Sequence, residues 1–83
     1  MERNYSKDFI KQLKLYDSKL QKQIVEAIKN IPVGDIIKLH GVNTIPPSYR
    51  LRVRKYRILF RMDKEKEILF IDKIDSRGDI YKN

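Results

Sequence analysis

Eighty-three residues make one domain, 1–83, and not two, since domains usually run to roughly 100–150 residues. Nineteen Lys and Arg against eleven Asp and Glu leave a net charge of +8 beside 41% hydrophobic residues, so the chain buries a modest core and favours anionic partners. No apolar run reaches a membrane span, the opening residues lack a secretory stretch, and zero cysteines with a single histidine argue against disulfides and zinc, which predicts a cytoplasmic protein needing no membrane, metal or cofactor.

Taken in chain order, residues 2–5 offer at most a stub of strand. Residues 6–16 read as a helix: Ser6 is placed to cap it, and Phe9, Ile10, Leu13 and Tyr16 share a face at helical spacing. Asp17 caps a second helix, in which Leu20, Ile24, Ala27, Ile28 and Ile31 form the apolar side, and Pro32-Val33-Gly34-Asp35 ends it. The short link makes the pair an antiparallel hairpin.

From residue 36 the period changes to two. Ile36-Ile37-Lys38-Leu39 is a short strand, followed by a loop from His40 to Ser48; Tyr49–Val53 and Tyr56–Met62 then alternate cleanly. Residues 63–66 form a polar turn, and residues 67–74 a last strand that is apolar on both faces for part of its length, as strands inside a sheet are. These elements predict an α+β fold: a two-helix hairpin on one face of a three- to four-stranded, mostly antiparallel sheet.

The pleat sends Tyr49, Leu51 and Val53 one way and Arg50, Arg52 and Arg54 the other, and in the next strand sets Arg57 and Arg61 against Tyr56, Ile58, Phe60 and Met62. Residues 49–61 hold six basic side chains and no acid. Five arginines would then share one open face. Such a face is ordinarily a solvated one, but like charges across a ladder repel, and guanidinium groups suit bidentate phosphate contact and base stacking. Phosphate or nucleic-acid binding is therefore the favoured expectation, with an acidic protein partner as another fit. Asp72, Asp75 and Asp79 read as solvated carboxylates or turn caps rather than a metal pair.

No nucleophile relay and no phosphate-binding glycine loop is present. Metal-free RNA cleavage is chemically permitted. It requires activating a 2′-hydroxyl, stabilising charge on phosphorus and protonating the 5′-oxygen. Arginines meet the second need as fixed cations, and their field favours a phenolate and disfavours an ammonium.

The order helix, helix, Lys38-Leu39-His40-Gly41, Tyr49-Arg50-Leu51-Arg52-Val53, Tyr56-Arg57-Ile58-Leu59-Phe60 and Ser76-Arg77-Gly78-Asp79-Ile80-Tyr81-Lys82 resembles the RelE/ParE toxin superfamily of type II toxin–antitoxin systems, as does the opening Tyr5-Ser6-Lys7-Asp8-Phe9. The resemblance spans nearly the whole chain. In the RelE branch it implies a ribosome-dependent mRNA endoribonuclease that halts translation from the ribosomal A site. The family's RNA-holding strand positions fall on Arg50 and Arg52, its catalytic strand arginine on Arg57, its C-terminal arginine on Arg77, and its substrate-stacking tyrosine on Tyr81. Arg54, Arg61, Lys38 and His40 complete the expected RNA-binding set. The resemblance also implies an acidic, partly disordered cognate antitoxin in a heteromeric complex. Two alternatives stay open: a ParE-like inhibitor of DNA gyrase, and a basic RNA-binding relative without activity. The chain departs from the family where Arg54-Lys55 replaces a hairpin glycine. Arginine also replaces lysine at positions 50 and 52, and an arginine does not give up its proton to serve as a base.

Overall fold

In the computed structural model, which describes residues 1–41 and 43–76, the elements in chain order are β1 (Glu2–Tyr5), α1 (Lys7–Leu13), α2 (Ser18–Lys29), β2 (Ile36–Lys38), β3 (Ser48–Val53), β4 (Tyr56–Asp63) and β5 (Ile68–Ser76). The two helices start where the sequence predicts. Ser6 Oγ accepts from Phe9 N at 3.0 Å and Asp17 Oδ1 from Leu20 N at 2.9 Å, each satisfying a donor that the first helical turn leaves open. The first helix stops at Leu13 rather than running to residue 16, because Leu15 N and Tyr16 N turn back to Gln12 O and Leu13 O. Ile10, expected on the apolar face, is 41% exposed. It lies a step around the helix from Phe9, which points inward.

The sheet has five strands in the order β1-β5-β4-β3-β2, one more than the upper end of the predicted range. The extra strand is β1, which pairs parallel with β5 while all other pairs are antiparallel. The helical hairpin thus carries the chain from one sheet edge to the other, and β2–β5 return as a meander. Arg3 ties β1 to the helices: its Nε and Nη2 donate to Ile28 O at 3.3 Å and Lys29 O at 2.7 Å, placing a cation at the negative end of α2.

Phe9, Ile24 and Ile28 of the helices pack onto Leu51, Ile58, Phe60, Leu69 and Ile71, all essentially inaccessible to solvent. Strand β5 lies between β1 and β4, which accounts for its apolar residues on both faces. Its alternation breaks once. Leu69, Ile71 and Ile74 are the buried positions, and the register slips so that Phe60 faces Ile71 while Leu59 faces Lys73. Asp72 is the extra residue of this β-bulge.

A candidate RNA-binding face

The antiparallel register sorts the open face of the sheet into rows, because directly paired residues share a side. Nearest the β3–β4 turn lie Arg52, Arg57 and Asp75, one on each of β3, β4 and β5. The next row holds Ile37, Arg50, Leu59 and Lys73, and the third Ser48, Arg61, Phe70 and, on β1, Asn4. Arg50 and Arg57 are half-buried and Arg52 is exposed. Two guanidinium groups facing each other across β3 and β4 repel. The Asp75 carboxylate on the next strand offsets this charge.

The face differs from the expected row of five arginines without a carboxylate. Arg61 is engaged: its Nε and Nη2 donate to Asp72 Oδ2 and Oδ1, both at 3.0 Å, and its Cζ lies 4.9 Å from the centroid of the Phe70 ring. Those hydrogen bonds hold the Arg61 guanidinium above its ordinary pKa, against an opposing effect of burial. Arg54 leaves the face altogether. It sits in the two-residue turn between Val53 and Tyr56 with φ 57°, the backbone region that a glycine adopts at least cost, and Nη1 donates to Gln23 Oε1 of α2 at 3.2 Å. Lys38 pairs with Tyr49, so it lies on the helix side of the sheet edge, and His40 is exposed in the loop after β2, off the strands that carry the arginines. Arg77 and Tyr81 lie outside the described residues.

What the arginine reading missed was the third strand. Asp72, two residues past Phe70, falls on the face of Arg61, and the bulge there sets Asp75 opposite Arg57; the signal for the bulge was present, since the inward positions 69, 71 and 74 step by two and then by three. The bulged stretch is held from its outer edge. Ser6 Oγ donates to Asp72 O, and the Gln12 side-chain amide exchanges two hydrogen bonds of 2.8 Å with the backbone N and O of Ile74, continuing the pairing that β1 began. Among the described residues, no three His, Cys, Asp or Glu side chains cluster as a metal site would require, and no helix is long and apolar enough to cross a membrane.

No protein-family profile matches the chain, and no curated protein does. Solved structures do. A chain of the archaeal RelE–RelB complex from Pyrococcus horikoshii OT3 superposes with a TM-score of 0.77 at 24% identity, over 94% of this chain and 96% of that one. The chain has the RelE fold. The RelB–RelE antitoxin–toxin complex from Methanococcus jannaschii gives a TM-score of 0.72 at 25% identity, with 95% of each chain covered. The isolated E. coli RelE toxin gives 0.66 at 20% identity, over 98% of this chain and 90% of that one. Among the described residues, the helical hairpin packs on one side of the sheet, and Arg50, Arg52 and Arg57 lie on the other.

Proposed function

We propose that this protein is the toxin of a type II toxin–antitoxin pair and cleaves translated mRNA on the ribosome. The observation that carries the reading is the cluster of Arg50, Arg52 and Arg57 on the open face of a RelE fold. Arg50 and Arg52 hold the phosphates that flank the scissile one. Arg57 stabilises the charge that builds on phosphorus during in-line attack by the 2′-hydroxyl, where a fixed cation in a partly dehydrated site is worth more than in water. Arg77 and Tyr81, placed by the sequence resemblance, complete the site by binding the same phosphate and stacking on a base. No step in this scheme calls for a metal ion.

Two of the similar structures are complexes with RelB, and the proposal extends a partner of that kind to this chain. Ile37, 46% exposed, lies beside Arg50 on the same face. An acidic segment with apolar side chains would cover both, through fast and salt-sensitive association.

Primer extension on an mRNA in a purified translation system tests the activity, with Arg57→Ala, Arg77→Ala and Tyr81→Ala run alongside. Ribosome-dependent new 5′ ends at A-site codons that fade in the variants are the expected result. Intact mRNA at micromolar protein would overturn the nuclease reading, and inhibited gyrase supercoiling in the same preparation would replace it.

A further inference from the structure

We infer that Asp75 is the general base of the cleavage site, taking the proton of the attacking 2′-hydroxyl; this rests on the nuclease reading above. In-line cleavage needs a proton acceptor beside the phosphate, and Arg50, Arg52 and Arg57, the side chains proposed to hold the RNA there, are arginines, which have none to offer. Asp75 fills that gap by position. The register sets it directly across from Arg57, which in turn faces Arg52, so a carboxylate and two guanidinium groups form one line across three strands. Adjacent strands lie ~4.8 Å apart, comparable with the reach from a phosphate to the ribose that bears it. A scissile phosphate seated on Arg57 therefore brings the neighbouring 2′-oxygen within reach of Asp75.

Asp35 precedes β2 opposite Arg52, where its O accepts from Arg52 N at 2.9 Å, and so stands on the far side of Arg52 from Arg57. The remaining carboxylates on this side of the described sheet lie elsewhere. Both oxygens of Asp72 are taken by Arg61. Asp63 and Glu2 both pair with Ile68, at the opposite end of the strands. Asp63 lies six steps along β4 from Arg57, which is ~20 Å of extended chain. Among the described residues, the charged groups facing Asp75 are Arg57 on β4, Lys73 two residues back on β5 and, one strand further, Arg52 on β3; α1 meets the outer edge of β5 through the uncharged Gln12. That edge contact fixes the β5 backbone one residue before Asp75, so the carboxylate is presented from an anchored strand.

In the step, the 2′-oxygen forms a bond to phosphorus as its proton passes to Asp75, and the bond from phosphorus to the 5′-oxygen breaks. The leaving oxygen takes a proton from water, and Asp75 returns its own to solvent. The products are a 2′,3′-cyclic phosphate and a 5′-hydroxyl.

The test is single-turnover cleavage of mRNA on programmed ribosomes over a range of pH, comparing wild type, Asp75→Asn and Asp75→Glu, with melting curves to establish that each variant is folded. The expected result is a rate about 10²-fold lower for Asp75→Asn, a flattened pH–rate profile, and partial rescue by Asp75→Glu. A wild type that cleaves beside an equally fast Asp75→Asn, or a slower one with an unchanged pH profile, would overturn the inference and leave Asp75 as a neighbour that balances charge on Arg57. A wild type that fails to cleave would refute the proposed function and this inference with it.

Discussion

Arg61 is committed to Asp72, so removing the Asp72 carboxylate should hand a cation to RNA. Both Asp72 oxygens are met at 3.0 Å, and the ring of Phe70 lies against the Arg61 guanidinium. In Asp72→Asn the pairing charge is gone while the shape is kept. One additional contact to a single-stranded phosphate steepens the dependence of log affinity on log salt by about 0.7. Between about 50 and about 200 mM salt that adds roughly a 2.6-fold change in affinity. Stability should barely move, because the pair is 34% and 35% exposed and a pair so solvated is worth about 0.5 kcal/mol. The pKa of Arg61 is raised in the fold. A raised value contributes stability that is fully present below the unfolded-state pKa and is lost only as pH climbs through the folded one. For an arginine that loss falls in strong alkali, so the pair's contribution is flat over the working range. Fluorescence anisotropy with a labelled 2′-O-methyl oligonucleotide, which cannot be cut, gives the slopes. Arg61→Ala should leave the slope of the wild type unchanged, and Arg52→Ala should make it shallower by about 0.7. If Arg61→Ala flattened the slope as much as Arg52→Ala while Asp72→Asn changed nothing, Arg61 would bind RNA directly and the reasoning would fail.

Gln12→Ala should destabilise the fold by about 1–2 kcal/mol, since it strips two partners from the partly buried backbone of Ile74; chemical denaturation with an unchanged transition slope would show it. Gly34→Ala should cost about 1–3 kcal/mol, because residue 34 has φ 139° and a Cβ there would meet Leu51 Cδ1 at 3.1 Å. Thermal melting would register this as a drop of roughly 4–8 °C per kcal/mol. Arg54→Gln should leave the salt dependence of RNA binding as it is, because Arg54 leans on Gln23 at the helix side; the same anisotropy titration checks it.

The parts of the fold that follow from periodicity were readable in the residues. The caps Ser6 and Asp17, the inward faces of α2, β3 and β4, and the interior placement of β5 each express one local rule, and the structure repeats them. β1 was barely legible because Glu2-Arg3-Asn4-Tyr5 carries a weak apolar pattern; backbone pairing to β5 and the long reach of Arg3 to α2 make it a strand. The arginine face was legible as a hairpin and not as a sheet. Alternation placed Arg50, Arg52 and Arg57 correctly on one side. It also put Arg54 on that face, from which a two-residue turn with a left-handed first residue removes it. The carboxylates arrive from β5, whose register depends on a bulge. A local pattern of one strand does not say which residues of another lie opposite, so the engagement of Arg61 and the alignment of Asp75 with Arg57 emerge only when the strands are paired.

The central claim is that Arg57, on the sheet face it shares with Arg50 and Arg52, drives phosphodiester cleavage, and the most direct measurement is the single-turnover rate on programmed ribosomes for wild type and Arg57→Ala. The account predicts cleavage by the wild type and a fall of about 10²–10³-fold in the variant, with ribosome binding preserved. Equal rates for the two proteins, or no cleavage by the wild type at saturating concentration, would contradict it.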